Sequence, residues 1–219
     1  MAVRDNLAAV EERITRACAR AARPRTEVTL VVVSKTFPAS AVDEAIAAGA
    51  TDIGENRVQE TRDKKPDVRG EARWHLIGHL QSNKAKDAVK LFEVVQTVDS
   101  IALARKLSVV AGDLAREIDA LIEVKIGAEP QKAGVMPSDV AALVSQIRDL
   151  PNVSVRGLMT IPPMGTAEES RRYFRELRAL RDTLKLDELS MGMSEDFETA
   201  IEEGATIVRV GRAIFGERH

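Results

Sequence analysis

The 219-residue chain has little cysteine, few aromatic residues and no long apolar run. Its one cysteine, Cys18, excludes an internal disulfide and a cysteine-based metal site, so we interpret it as a buried or half-buried bystander thiol. No apolar stretch approaches the ~20 residues that a membrane-spanning helix needs, and the amphipathic N-terminus lacks the apolar core of a signal peptide. We therefore expect a cytoplasmic protein that does not enter the membrane.

The charge distribution argues against nucleic acid as a partner. The formal net charge is −2, acids and bases are interspersed, and no basic run carries the interleaved aromatics that track a phosphate backbone. Nucleic acid is therefore not an expected partner. A content of 44% hydrophobic and 30% charged residues is that of a globular protein, and no linker divides the chain. We expect one domain over residues 1–219, acting as a monomer.

Short strand-like runs alternate with amphipathic helical patterns along the whole chain, which is typical of βαβ units and a parallel sheet. Eight such strands with eight following helices predict an α/β fold, a (β/α)8 TIM barrel, with an additional N-terminal helix. An open doubly wound sheet is the alternative, but no GxGxxG follows the first strand. The predicted strands are Val28–Ser34, Thr51–Gly54, Trp74–Gly78, Glu93–Thr97, Ala120–Lys125, Ser154–Met159, Leu186–Ser190 and Thr206–Val210.

Unusual residues collect where these strands end, which is where barrel active sites lie. The first strand runs into Lys35. The segment SMGMSEDF after the seventh strand contains Ser194, which we expect to cap the following helix and to leave backbone N–H groups facing an anion. Gly211 after the eighth strand offers a second close backbone approach, and these two loops are where barrels often bind phosphate.

A lysine facing a phosphate site suggests a Schiff base with a phosphorylated aldehyde, because a desolvated lysine near other cations loses its proton and becomes nucleophilic. Pyridoxal 5′-phosphate fits this description. The first strand alone favours a simpler interpretation, in which Lys35 is a surface lysine that extends its ammonium into solvent. The phosphate loops favour the cofactor.

Five distinctive segments are distributed along nearly the whole chain: VSKTFP, DIGENRVQE, WHLIGHLQSNK, GLMTIP and LSMGMSEDFETAIEEGATIVRVGRAIFG. Through them the chain resembles the pyridoxal phosphate homeostasis protein family, the single-domain relatives of the alanine racemase N-terminal barrel. The resemblance implies a Schiff base on Lys35, the phosphate in the loops of Ser194 and Gly211, the pyridine nitrogen facing Arg209, and Asn56 nearby. It further implies a carrier in intracellular vitamin B6 homeostasis that passes pyridoxal 5′-phosphate to cofactor-free enzymes.

An arginine facing the pyridine nitrogen has a chemical consequence. A guanidinium stays protonated and only donates hydrogen bonds, so the nitrogen opposite Arg209 should remain unprotonated and the ring should be a poor electron sink. The alternative is that Arg209 is a structural residue of the barrel, paired to a carboxylate.

An amino acid racemase is the second functional hypothesis. A two-base racemase needs a second acid or base on the opposite face of the ring, which in the racemases resembled here is a tyrosine from a separate domain. The only tyrosine of this chain is Tyr173, within the helical pattern AEESRRYFRELRALRD, where we expect it to pack the helix. The carrier hypothesis is therefore preferred. One segment, EVKIGAEPQKAGV (123–135), departs from the family pattern, which leaves the local contacts of residues 125–134 unassigned.

Overall fold

The strands of the chain close into a parallel barrel. The computed structural model describes residues 2–127 and 133–216. Strands pair in the order β1 to β8, and β8 pairs with β1. The predicted (β/α)8 TIM barrel is confirmed, and every predicted strand end lies within two residues of the observed one. The strands are β1 Thr29–Val33, β2 Asp52–Glu55, β3 Arg73–Leu76, β4 Val94–Val98, β5 Ile118–Glu123, β6 Val153–Met159, β7 Glu188–Ser190 and β8 Ile207–Val210.

One helix precedes the barrel, and each strand is followed by a helix that packs on its outer side. The helices have the amphipathic pattern expected of a helix that packs on a sheet. Their apolar residues recur on one face, while the exposed face is charged. The helices are α1 Val3–Arg20, α2 Ala39–Ala47, α3 Val58–Lys64, α4 Ala85–Leu91, α5 Ile101–Asp113, α6 Pro137–Arg148, α7 Ala167–Leu184, α8 Phe197–Glu202 and α9 Arg212–Phe215.

Side chains alternate across the barrel wall, as the pleat of a strand requires. Outward residues join the large core between sheet and helices, for example Val32 and Val208. Inward residues form a second, smaller apolar cluster in the barrel interior. That cluster is Val31, Val94, Leu121, Met159 and Ile207. Buried polar residues such as His75 and Gln96 occupy further positions in the barrel interior, and they belong to the site described next.

Helix α1 covers the seam where β8 meets β1. Arg13 donates to Glu198 of α8 at 2.6 Å, and the Asn6 side-chain amide donates to the Ile214 carbonyl of α9 at 2.8 Å. Cys18 is buried on this helix, as predicted, and burial raises the pKa of its thiol. The additional N-terminal helix therefore holds in place the two short helices that follow β7 and β8.

No helix in the described ranges combines the length and the apolar character that a bilayer span requires. Residues 128–132 lie outside the described part of the chain. On either side of them the divergent segment is held together by a hydrogen bond from the Lys125 N–H to the Val135 carbonyl at 2.9 Å.

Candidate functional site

The five residues predicted to bind a cofactor lie at the carboxyl ends of four adjacent strands. Lys35 closely follows β1, Asn56 follows β2, Arg209 belongs to β8, Gly211 follows β8, and Ser194 lies in the loop after β7. Because β7 pairs with β8, β8 with β1 and β1 with β2, these strand ends form one continuous arc of the barrel mouth. The fold thus brings together residues that are up to 176 positions apart in the sequence.

A buried polar cluster lies beside Lys35 at the end of β1. Lys35 is itself half-buried. The preceding Ser34 is fully buried, and its hydroxyl donates to Glu55 Oε1 at 2.6 Å. The buried ammonium of Lys64 donates to the same Glu55 oxygen at 2.7 Å and to the Ser34 carbonyl at 2.9 Å. Burial raises the pKa of Glu55, although the hydrogen bonds from Lys64 and Ser34 oppose the shift.

Asn56 lies at a point where two loops approach closely. A Cβ atom on Gly78, just after β3, would lie 2.2 Å from the Asn56 carbonyl oxygen, so only glycine permits this approach. The glycine of WHLIGH therefore has a packing role, because it allows the backbone of the loop after β2 to lie against the end of β3. The Asn56 side chain is half-buried at this edge of the mouth.

Arg209 is buried, and it is oriented by two oxygen acceptors. Its guanidinium donates to Ser190 Oγ at 2.5 Å and to the Thr160 carbonyl at 2.9 Å. Burial lowers its pKa to about 10, while Asp196 and Glu123 act in the opposite direction. The group is still protonated at neutral pH. Neither hydrogen-bond partner is a carboxylate, so the structural alternative of a directly paired arginine receives no support among the described residues.

A continuous chain of hydrogen bonds runs from Arg209 through the barrel interior. Ser190 Oγ donates to Gln96 Oε1 at 2.6 Å, Gln96 Nε2 lies 3.0 Å from His75 Nδ1, and His75 Nε2 lies 2.9 Å from Asp52 Oδ1. Arginine can only donate, so the Ser190 proton must go to Gln96 and the Gln96 amide must donate to His75. His75 is then protonated on Nε2 and donates to Asp52. Burial lowers the pKa of His75, which keeps it neutral.

Glu123 supplies a carboxylate at the end of β5. Its Oε2 atom is buried and has no hydrogen-bond partner among the described residues. Burial and the nearby Asp99 raise its pKa, whereas Arg209 and His79 lower it. A buried polar atom without a partner costs free energy unless a ligand or water satisfies it. Glu123 Oε2 is therefore an acceptor that the described protein groups leave open.

The prediction that Ser194 caps the helix after β7 is wrong. Helix α8 begins only at Phe197, and Asp196 occupies the N-cap position. The Asp196 carboxylate accepts from the Met193 N–H at 2.7 Å and so stabilises the turn that precedes the helix. Ser194 Oγ instead accepts a long hydrogen bond, at 3.4 Å, from the Ala213 N–H in the first turn of α9. The sequence SMGMSED contains two residues of a type that can cap; the helix begins after the second, whose side chain bonds to the preceding turn and not to a helix N–H.

Ser194 and Gly211 are thereby brought to the same place. Gly211 immediately precedes α9, and a Cβ atom there would lie 2.8 Å from the Val33 carbonyl oxygen of β1. The Phe37 ring, two residues after Lys35, stacks on Phe215 of α9 with centroids 4.8 Å apart. The loops after β7, β8 and β1 are thus packed against one another around α9.

Sequence reasoning missed several polar residues of this site. Asp52, Gln96 and Ser190 lie on three different strands, and Gln96 and Ser190 are 94 residues apart. Each is a buried polar residue within a barrel strand, which is the signal that could have identified them. His75 lies within β3 at the centre of this network.

Comparison with known proteins places the chain in a family. Residues 6–219 match the family described as alanine racemase, N-terminal domain. The pyridoxal phosphate homeostasis protein of Aquifex aeolicus is 44% identical over 222 residues, covering 98% of this chain and 97% of that protein. Its counterpart from Pseudomonas aeruginosa is 42% identical, covering 99% and 96%. The chain belongs to the alanine racemase N-terminal domain family and, within it, to the pyridoxal phosphate homeostasis proteins.

A solved structure agrees with this assignment. PipY of Synechococcus elongatus, determined with pyridoxal phosphate (PLP) bound, is 43% identical and superposes with a TM-score of 0.82. The match covers 94% of this chain and all of that one. The resemblance inferred from VSKTFP and the C-terminal motif is therefore confirmed at the level of the family.

Proposed function

We propose that this protein binds pyridoxal 5′-phosphate at the mouth formed by β7, β8, β1 and β2 and acts in intracellular vitamin B6 homeostasis as a carrier. The observation that carries the proposal is Lys35, half-buried at the end of β1 on the same arc as the buried guanidinium of Arg209. The relatives named above support it, since they are called pyridoxal phosphate homeostasis proteins and PipY has been solved with PLP bound.

The residues present suit the cofactor. When bound, it supplies an aldehyde that condenses with a primary amine as water leaves, and Lys35 Nζ would be that amine, holding it as a Schiff base. Ser194 Oγ and the backbone at Gly211 would bind the phosphate, and Asn56 would line the ring. Arg209 can donate hydrogen bonds and the buried Glu123 Oε2, which has no partner among the described residues, can accept one, so the mouth offers both kinds of partner.

Arg209 is the residue that favours a carrier over an enzyme. With a pKa of about 10 it keeps its protons at neutral pH, so it can donate to the ring nitrogen but cannot accept a proton from it. A nitrogen held in this way stays unprotonated, which weakens the ring as an electron sink. Arg209 thereby binds the ring while disfavouring carbanion chemistry.

Tyr173 gives no support to the racemase alternative. Its hydroxyl accepts a hydrogen bond from Arg172 at 2.6 Å, and the Arg172 guanidinium lies 4.5 Å above its ring. The phenol is engaged on the surface of α7, where it was predicted to pack. We further propose that the carrier is cytoplasmic and monomeric, forms a single domain over residues 1–219, and delivers the cofactor to cofactor-free enzymes.

The decisive experiment is borohydride reduction of the cofactor-loaded protein followed by peptide mapping. We expect a reduced cofactor adduct on Lys35, because this lysine ends β1 on the same arc as the phosphate loops. The visible absorbance of the bound cofactor should be lost in Lys35→Ala, whereas Lys90→Ala, which removes an exposed lysine of α4, should retain it. An adduct on Lys125 instead would contradict the assignment.

The carrier role needs two further measurements. Loaded protein should restore the activity of a cofactor-free acceptor enzyme, and it should not interconvert L- and D-alanine. Sustained racemisation that disappears in Lys35→Ala would reverse the ranking of the two functions, as would failure to release cofactor to any acceptor.

A further inference from the structure

The backbone on both sides of Lys35 is fixed by side chains of helix α3. Glu60 and Lys64 are four residues apart on this helix and therefore share a face, which turns toward the end of β1. Together with Glu55 at the end of β2, they form a cluster that we name the Lys64 clamp. Lys64 and Glu55 are buried, and Glu60 is partly exposed.

The clamp binds the two peptide groups that flank Lys35. Lys64 Nζ donates to the Ser34 carbonyl at 2.9 Å, which belongs to the peptide bond before Lys35. Glu60 Oε1 accepts from the Thr36 N–H at 2.5 Å, which belongs to the peptide bond after it. Because the two peptide planes around one Cα determine where its side chain begins, these contacts fix the starting direction of the Lys35 side chain.

Thr36 shows that this conformation is imposed. Its φ angle is +71°, in the left-handed region that a β-branched residue rarely adopts. Such a conformation persists only where the surroundings over-determine it, and such residues cluster at functional sites. The Glu60 carboxylate on the Thr36 N–H and the Phe37 N–H donating to the Ser34 carbonyl at 3.0 Å provide that constraint.

Lys64 itself is committed to this structural task. Its ammonium has three protons and three acceptors, which are the Ser34 carbonyl, Glu55 Oε1 and Glu60 Oε1 at 2.7 to 3.1 Å. A lysine that donates all its protons to protein oxygens is not available as a nucleophile. The clamp therefore distinguishes Lys64 from Lys35, the other lysine near the end of β1.

We infer that Lys64 and Glu60 are positioning residues that set the direction of Lys35 before any cofactor arrives. This inference rests on the proposed function, since it assigns the clamp to covalent capture by Lys35. The clamp should act on capture of an aldehyde and not on the other contacts of the ligand.

The test compares two ligands in Glu60→Ala, the primary variant because Glu60 is partly exposed. Lys64→Met is secondary, since it removes the partner of the buried Glu55 carboxylate. Glu60→Ala should slow capture of pyridoxal 5′-phosphate, followed by absorbance, by about tenfold, which equals roughly 1.4 kcal/mol and the contribution of one hydrogen bond. Binding of pyridoxine 5′-phosphate, which has the ring and phosphate but no aldehyde, should change by less than about twofold.

Two controls accompany this comparison. Glu60→Gln keeps an oxygen for the Thr36 N–H and should restore most of the capture rate. Arg62→Ala removes an exposed cation from the same helix and should match the wild type. Equal weakening of both ligands in Glu60→Ala, or no change in either, would overturn the inference.

A measurement without cofactor separates this inference from the proposed function. Hydrogen exchange of the Thr36 amide in the ligand-free protein should be about tenfold faster in Glu60→Ala than in the wild type. Unchanged exchange would reject the clamp even if Lys35 captures the cofactor. Faster exchange in a protein whose Lys35 never forms an adduct would reject the proposed function and, with it, the assignment of the clamp to capture.

Discussion

At the scale of single residues, Ser194 shows how a correct location can accompany a wrong role. The pattern SMGMSED identifies the loop, but the N-cap position of α8 belongs to Asp196, whose carboxylate accepts a hydrogen bond from the Met193 N–H of the preceding turn. Among the residues that the structure describes, Ser194 Oγ is left with one long hydrogen bond, from the Ala213 N–H. Its hydroxyl is therefore available for a ligand at the mouth.

This reassignment changes what Ser194→Ala should do. Because only a 3.4 Å hydrogen bond is lost, the free energy of unfolding of the ligand-free protein should change by less than about 0.5 kcal/mol. Loss of a charge-assisted hydrogen bond to phosphate should weaken cofactor binding by about 1.5–3 kcal/mol. Urea denaturation and equilibrium binding measure the two quantities.

The matched control is Asp196→Ala in the same loop. It removes the hydrogen bond that the Asp196 carboxylate accepts from the Met193 N–H and should cost about 1 kcal/mol of stability. If Ser194→Ala lowers stability as much as Asp196→Ala does and leaves affinity unchanged, Ser194 has only a structural role.

At the scale of secondary structure elements, Gly211 determines how closely β8 and α9 approach β1. In Gly211→Ala the new methyl group would lie 2.8 Å from the Val33 carbonyl, and a backbone oxygen cannot move away alone. We expect a loss of about 1–3 kcal/mol in the free energy of unfolding and a displaced phosphate loop with weaker cofactor binding. Thermal unfolding and a binding titration would measure both effects.

Gly112→Ala provides the comparison for this variant. Gly112 lies inside helix α5, and its new methyl group would meet only the side-chain amide of Asn152. Since alanine is the better helix former, this variant should be neutral or stabilising. Equal losses in both variants would mean that Gly211 has no special role in the packing of these elements.

The elements were predictable because parallel strands buried on both sides are short apolar runs between helical patterns. TLVVV and EVVQTV show this directly, and their predicted ends agree with the structure within two residues. The start of α8 was not predictable to the same degree, since Ser194 and Asp196 can both cap. The chain of hydrogen bonds from Arg209 to Asp52 was not predicted because its contacts join different strands. The register between the strands decides which polar side chains meet.

At the scale of the whole molecule, the neutral His75 links stability to pH. Burial lowers its pKa in the folded protein from the ordinary 6.5, so below that pH the unfolded chain binds a proton that the folded one does not. The free energy of unfolding should therefore fall as the pH falls through 6.5, with a slope of up to about 1.4 kcal/mol per pH unit. Glu55 and Glu123 act in the opposite direction because their pKa values are raised.

The difference between the wild type and His75→Gln isolates this contribution. Between pH 7.5 and about 5.5, the variant should lose about 1 kcal/mol less than the wild type. His79→Gln serves as the control because it removes a largely exposed imidazole that lies outside the interior chain of hydrogen bonds. Chemical denaturation at several pH values provides the comparison, and identical slopes for all three proteins would show that His75 does not remain neutral in the folded state.

The directed chain of hydrogen bonds from Arg209 to Asp52 restricts how this barrel can change over evolutionary time. An apolar residue at position 190 would leave both an Arg209 N–H and the Gln96 carbonyl oxygen without partners, at a cost of about 1–3 kcal/mol for each buried group. Single replacements along the chain are therefore penalised, whereas coordinated replacements that satisfy every donor and acceptor are not. The interior polar residues should consequently be inherited as a set, and descendants that lose one member should be found to have altered its neighbours as well.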